Sequence, residues 1–274
     1  MTIPMTHDVE IRTENLCKSF GNQIVLQRID LDVKRGQMVA VIGASGGGKT
    51  TLLKLLTAQE QPDQGWVWVA DHESPGSPLI VLATANERHL DRLRRHWAVV
   101  FQGNALFSGT VYDNLAFAMR DLKHENELSI RARIEQAIQS VELDANKVLQ
   151  LNVDELSGGM AKRVAIARAL VLDPILIFYD EPTSGLDPIL TTEIHELIQT
   201  VHLRQPEGDV ARTSIIITHD RDLLLRLQPR IIMLHEGRIF FDGTYDAFSH
   251  SDSPIIRPYY EVMPVLQQRV QTSK

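Results

Sequence analysis

The chain has 274 residues, a formal net charge of −7 and one cysteine. That length supports one large domain or two modest ones with a substantial core, and the acidic balance argues against a general nucleic-acid binder, which needs clustered Lys and Arg. Cys17 alone excludes an internal disulfide and suits a reducing compartment; residues 1–8 show no signal-peptide pattern, and no apolar run approaches the ~20 residues that cross a bilayer.

In chain order, residues 9–33 read as β structure. A turn at Gly21-Asn22, with Phe20 just before it, leads into the alternating stretch Ile24–Val33. Lys34-Arg35-Gly36 turns the chain again, and the apolar run Met38–Ile42 predicts a buried strand. It runs into Gly43-Ala44-Ser45-Gly46-Gly47-Gly48-Lys49-Thr50-Thr51, and Leu52-Leu53-Lys54-Leu55-Leu56 follows as a helix. Strand, glycine loop and helix make the setting of a phosphate-binding loop, and Gly43, Gly48, Lys49 and Thr50 meet the spacing G-x-x-x-x-G-K-T. Glycines let backbone N–H groups crowd a polyanion with no Cβ in the way. The helix adds its positive N-terminal end. Lys49 supplies a point charge to the outer phosphates, and the Thr50 hydroxyl can ligate Mg2+. A plain flexible turn is the competing reading, and the flanking strand and helix weigh against it.

Gln61-Pro62-Asp63-Gln64-Gly65 breaks the helical pattern. Trp66-Val67-Trp68-Val69 reads as a strand whose tryptophans share one face, as packing rather than a ligand platform. Ser74–Pro78 is a loop. Glu87–His96 predicts a short helix carrying Arg88, Arg92, Arg94 and Arg95, a solvated face in preference to arginine fingers beside ATP. Ala98–Phe101 predicts a buried strand ending at Gln102. From Val111 to about Val171 the pattern is helical, with Ile130, Ile134, Ala137, Ile138 and Val141 at helical spacing. This is an inserted helical subdomain, about 108–172. Ile175–Tyr179, Ser214–Ile217 and Ile231–Leu234 are continuous apolar runs, as in parallel strands buried on both faces. Glu236-Gly237 turns the last into an edge hairpin with Arg238–Phe241. The pattern predicts an α/β fold of P-loop type, with a mostly parallel core sheet, an antiparallel β subdomain and the helical insert. Residues from Ser251 on read as a tail with little core of its own.

Two further stretches carry chemistry. Asp180-Glu181 follows the run Ile175–Tyr179, where an aspartate can hold Mg2+ and the next carboxylate can orient a water. Leu156-Ser157-Gly158-Gly159-Met160 opens a helix and makes a second anion site, since Ser and Gly at a helix N-terminus leave N–H groups free. In isolation the first could be an acidic cap and the second an ordinary N-cap.

Gly43–Thr51, Gln102, Leu156–Gly159, Asp180-Glu181, Ser184-Gly185-Leu186-Asp187 and Thr218-His219-Asp220 together resemble the nucleotide-binding domain of an ABC transporter, in order and intervals, over about residues 8–245. The resemblance implies a P-loop NTPase of ABC type. It implies that Phe20 stacks on adenine, that Gly43, Ala44, Ser45, Gly46, Gly47, Gly48, Lys49, Thr50 and Thr51 hold the phosphates, and that Thr50, Gln102 and Asp180 hold Mg2+. Glu181 would be the catalytic carboxylate, with Lys49, Gln102 and His219 assisting; His219 would contact the γ-phosphate and Gln102 would sense the membrane partner. Ser157, Gly158 and Gly159 would form the signature loop, which acts with Asp187 on ATP held by the other subunit of a head-to-tail homodimer with two ATP. Residues 1–245 would be the ATPase domain and 246–274 a C-terminal tail crossing to the partner subunit.

A finer resemblance rests on Met160, on Phe101-Gln102-Gly103-Asn104-Ala105-Leu106-Phe107-Ser108, on Ala161-Lys162-Arg163 and on Ser253-Pro254-Ile255-Ile256-Arg257-Pro258-Tyr259. These are similar to the Mla/Mce-associated ATPases, which implies phospholipid traffic between bacterial membranes. It further implies a permease, an MCE-domain protein and a small regulator as partners, at the cytoplasmic side of the inner membrane. The segment Gly65–Gln102 is longer than is usual for the family. The competing functions are another ABC transporter's ATPase, a soluble ABC protein, and an inactive regulatory subunit. One P-loop with one signature disfavours the soluble class, and Lys49, Glu181 and His219 disfavour the inactive one.

Overall fold

The computed structural model describes residues 8–74, 76–120, 126–206 and 210–265. Most of the stretch read for a signal peptide, and the end of the expected tail from 266, lie outside the described residues. Strands β1 (Val9–Phe20) and β2 (Gln23–Lys34) form the hairpin expected at Gly21-Asn22. Its register shifts at several points along β1, one of them between Leu16 and Lys18, opposite Arg28. Arg28 takes φ 51° and donates its N–H to Cys17 Sγ at 3.3 Å, which is why the buried Leu26 and Ile29 stand out of period.

Strand β3 (Met38–Gly43) leads through the glycine loop into α1 (Lys49–Leu56). Strands β4 (Gln64–Val69) and β5 (Ile80–Val81) complete an antiparallel sheet in the order β2-β1-β4-β5. Trp68 is buried with Val9, Ala70 and Leu79, whereas Trp66 on the same face is partly exposed. The segment after it carries α2 (Glu87–Arg94), whose arginines serve local carboxylates. Arg92 bonds the buried Asp71 at 2.5 Å, Arg94 pairs with Glu87 and Asp91, and Arg95 with Glu73, while Arg88 is exposed.

Strand β6 (Trp97–Val100) stops one residue short of the sequence expectation, and Phe101 lies beyond it, exposed. The helical insert comprises α3 (Val111–Arg120), α4 (Glu127–Ser140), α5 (Ala145–Val148) and α6 (Gly158–Leu170). Then follow β7 (Leu176–Asp180), α7 (Pro188–Leu203), β8 (Thr213–Ile217), α8 (Arg221–Leu227), β9 (Arg230–His235) and β10 (Arg238–Gly243). The core sheet runs β10-β9-β3-β8-β7-β6, parallel except for the edge hairpin β9–β10.

Each central strand divides its side chains between two cores. Ala40, Ile42, Ile177, Tyr179, Ile216 and Met233 face the helical insert. Val39, Val41, Phe178, Ile215, Ile217 and Leu234 face α1 and the antiparallel sheet. The segment read as a tail is part of the first core. Helices α9 (Tyr245–Ser249) and α10 (Ile256–Val262) bury Tyr245, Phe248, Ile256 and Met263 there. Those apolar residues are too scattered along the sequence to give a periodic signal, which is why the segment reads as polar.

Phe248 is fully buried, with its ring 5.7 Å from Tyr260 and 5.5 Å from Phe241. Phe248→Ala is expected to cost about 3–5 kcal/mol, read as a lower urea midpoint. A loss under about 1 kcal/mol would mean that the segment adds nothing to the core.

Candidate functional site: three loops at one sheet edge

Parallel strands end on the same side, so the loops after β3, β7 and β8 share one edge of the sheet. Two backbone hydrogen bonds join them. Glu181 N–H donates to Ile217 O at 2.9 Å and Thr218 N–H to Val41 O at 3.3 Å. The sequence therefore places Lys49, Asp180-Glu181 and His219 on three separate loops, and the sheet brings them together.

The glycine loop has the shape of an anion cradle. Gly48 caps α1 at φ 90°, and a Cβ there would meet Leu26 Cδ2 at 2.7 Å. Ala44, Ser45 and Gly46 are exposed, and Gly47 N–H closes a turn on Ala44 O at 3.0 Å. Lys49 Nζ donates to Gly43 O at 2.8 Å and to Ala44 O at 3.0 Å. An ammonium has three donors, so one remains for a ligand. Burial pulls the Lys49 pKa below the ordinary lysine value, against the opposing pull of Glu181 and Asp180. Thr50 is exposed at the first turn of α1, beside half-buried Thr51.

Opposite the cradle, burial and then the Glu181 charge raise the Asp180 carboxyl above its usual range, against Lys49 and Lys162. Glu181 sits at φ 47°, and His219 Nδ1 lies 2.7 Å from its Oε2. The His219 side chain is 52% exposed there, and that of Glu181 is largely buried. Gln102 Nε2 donates to Ser184 Oγ at 3.2 Å, tying the loop after β6 to the loop after Glu181. Thr50, Asp180 and Gln102 offer the few oxygen donors that suit Mg2+, an ion that keeps several waters. Phe20 is 49% exposed at the end of β1, with Lys18 Nζ 5.2 Å from its ring centroid.

The other half of the predicted set stands apart. Ser157 caps α6 through Met160 N–H at 3.3 Å, and Asp187 caps α7 through the N–H groups of Ile189 and Leu190. Among the described residues no hydrogen bond or ion pair joins Ser157–Gly159 to the glycine loop.

Three residues that the sequence motifs contain have no role assigned from sequence. Lys162 is buried in α6 and donates to the carbonyls of Phe101 and Gln102, both at 3.2 Å, so the signature helix holds the loop after β6. Nothing in its type or spacing distinguishes it from a surface lysine. Tyr259 of α10 bonds the backbone of Gly43. Asp220 is a hub. Its Oδ1 accepts from the N–H groups of Asp222 and Leu223, and its Oδ2 from Thr183 Oγ1 at 2.9 Å and His195 Nε2 at 2.8 Å. Burial pushes the Asp220 carboxyl up, but His195, the Leu223 N–H and the Thr183 hydroxyl together hold it below the usual range.

The comparisons with known proteins agree with this geometry. The family model described as ABC transporter matches residues 26–184. The chain is 34% identical to Protein TRIGALACTOSYLDIACYLGLYCEROL 3, chloroplastic, of Arabidopsis thaliana, over 92% of this chain and 73% of that protein. It is also 34% identical to the Fe(3+) ions import ATP-binding protein FbpC of Vibrio cholerae, over 84% of this chain and 60% of that one. A solved dimer, the ATP-binding cassette MJ0796 bound to ADP and Pi, superposes with a TM-score of 0.71 at 27% identity, covering 86% of this chain and 98% of its own. The P-loop fold of ABC type expected from the motifs is thus the fold found.

Asp220→Ala should cost about 2–4 kcal/mol at pH 7, the sum of a lost N-cap and of buried partners left unpaired. A carboxyl with a depressed folded pKa stabilises above its unfolded value, near 3.9, and loses that contribution as pH falls through the folded value. The stability gap between parent and variant, measured by urea unfolding, should therefore narrow below about pH 4. A gap that widens there would contradict the assignment.

Proposed function

Since the chain belongs to the ABC transporter family, we propose that it is the ATP-hydrolysing subunit of a membrane transporter, working as a head-to-tail homodimer with two ATP between the copies. One glycine carries the dimer. A Cβ on Gly158 would meet nothing within 4 Å, and its φ lies outside the left-handed region, so neither the chain's packing nor its backbone requires glycine there. At its neighbour Gly159, by contrast, a Cβ would stand 2.7 Å from the end of the Leu190 side chain, which would have to shift. A small residue that the chain does not need for itself leaves room for something from outside. Exposed at the N-terminus of α6, that room suits a phosphate carried by a second copy.

In this reading Phe20 stacks on adenine, and the N–H groups of the glycine loop and Lys49 hold the phosphates. Mg2+, held by Thr50, Asp180 and Gln102, would neutralise phosphate charge. Glu181 orients the attacking water and accepts its proton, while His219, steadied by Glu181 through Nδ1, presents Nε2 to the γ-phosphate. Ser157–Gly159 and Asp187 of the second copy complete each site. The γ-phosphate then belongs to the interface and favours the closed dimer, and hydrolysis removes that preference.

No helix among the described residues is long and apolar enough to cross a membrane, so the movement would be delivered to permease subunits. The chain would sit peripherally on the cytoplasmic side of the inner membrane. For cargo we favour phospholipid, with an MCE-domain protein and a small regulator as further partners. Met160 and the segments Phe101–Ser108 and Ser253–Tyr259 support it, as does a relative whose name is that of a galactolipid. A small-solute importer is the second reading, favoured by the relative named for Fe(3+) import. Of the segment read as crossing to the second copy, Phe248, Ile256 and Met263 pack on their own chain, and residues 266–274 lie outside the described residues.

Glu181→Gln should lower ATP turnover by about a hundredfold or more while ATP still drives dimerisation, seen by size-exclusion chromatography with light scattering. Adding Gly158→Asp should abolish that dimer and leave the melting temperature of the nucleotide-free chain unchanged. Near-normal turnover in the first variant would refute the catalytic role, and an intact dimer in the second would refute the head-to-tail interface. For cargo, the transporter purified with its permease should contain phospholipid by mass spectrometry, and phospholipid should stimulate its ATPase. Stimulation by Fe(3+) with its binding protein instead would establish the small-solute reading.

A further inference from the structure

Gly43 is the residue at which β3 becomes the phosphate loop, at φ 147°. A Cβ there would stand 2.4 Å from Leu234 O, so no other residue fits. Glycine, however, has no side chain with which to hold a conformation. The two peptide planes around its Cα are held by a single hydroxyl from 216 positions along the chain. Gly43 N–H donates to Tyr259 Oη at 3.0 Å, and Tyr259 O–H donates to Gly43 O at 3.1 Å. That carbonyl is also the one that accepts from Lys49 at 2.8 Å, so both its lone pairs are engaged. The hydroxyl therefore fixes the acceptor on which Lys49 is aimed.

The helix that carries Tyr259 is braced in turn. Tyr260 Oη lies 2.8 Å from Tyr245 Oη, and its ring lies 4.0 Å from the Arg221 guanidinium. Arg221 N–H donates to Pro264 O at 3.3 Å, and Arg221 opens α8 just after His219 and Asp220. Helix α10 thus reaches the exit of β3 through Tyr259, and separately packs on α8 through Tyr260. A simple anchor for the tail would need only an aromatic ring at position 259. Burial holds the Tyr259 hydroxyl above the ordinary tyrosine range, so it stays protonated and can both donate and accept.

We propose that Tyr259 is a positioning residue for nucleotide binding, setting Gly43 and through it Lys49, so that the C-terminal segment is a working part of the ATP site. The inference rests on the ATPase reading above. It is tested on the full chain by titrating a non-hydrolysable ATP analogue with Mg2+ into the parent, Tyr259→Phe and Tyr260→Phe, and by measuring each Tm without nucleotide. Tyr259→Phe should bind about fivefold more weakly, the effect of roughly one hydrogen bond, with its nucleotide-free Tm within about 2 °C of the parent. Tyr260→Phe, which loses a tail contact without touching Gly43, should bind like the parent. Parent-like binding by Tyr259→Phe, equal weakening in both variants, or a weakening matched by a fall in Tm would overturn the inference. A parent chain that binds no nucleotide would overturn the ATPase reading as well.

Discussion

Two backbone hydrogen bonds beyond the ends of the core strands hold this molecule's chemistry in one place. They run from Glu181 N–H to Ile217 O and from Thr218 N–H to Val41 O. Through them the carboxylate loop, the His219 loop and the strand feeding the glycine loop form one edge. Each strand is covered on both faces, so a slip of one residue would turn apolar side chains of both cores to the wrong side. The register that builds the core is therefore the register that sets Lys49 against Asp180 and Glu181.

At that edge charge is matched locally. Lys49 and Lys162 act on the Asp180 carboxyl, and Glu181 acts against it. Both lysines are lowered by burial, and Asp180 is raised by it. A partly buried set of this kind is close to neutral before any ligand arrives, so a polyphosphate has to bring or find further positive charge. On the ATPase reading, the exposed loop residues Ala44–Gly46, the N-terminus of α1 and a divalent cation would supply it. Neither the loop nor the carboxylates alone would suffice.

What could be read from the sequence follows from how local the signal is. The strands Met38–Gly43 and Leu176–Asp180 are runs of apolar residues, and the glycine loop is nine adjacent positions, so both were legible within a residue or so. The bulge at Arg28 was not, because it depends on Cys17 across the hairpin. The buried role of Lys162 was not legible for a related reason. A lysine is expected in water, and only the distant carbonyls of Phe101 and Gln102 hold it inside. The C-terminal segment misled because its buried residues Phe248, Ile256 and Met263 lie among Ser, Asp and Pro, and their common destination is tertiary. Tyr259 carried a family resemblance in the sequence, but its partner Gly43 is known only from the fold.

The glycines separate what the chain requires from what it leaves open. Gly43 and Gly48 are forced by close contacts and by positive φ, and at Gly159 a Cβ would have to displace the end of the Leu190 side chain. Gly103 and Gly158 have neither reason: a Cβ on each would meet nothing within 4 Å, and neither sits in the left-handed region. They open the two loops that the transporter reading assigns to outside partners, Gly103 beside Gln102 toward the permease and Gly158 toward the second copy. Lys162 connects them, since it sits one turn into α6 and grips the carbonyls of Phe101 and Gln102. A buried lysine without these acceptors would be strongly unfavourable, so the start of α6 and the loop after β6 are tied to each other in this structure. The transporter reading calls for such a tie if ATP closure at one face is to be felt at the other.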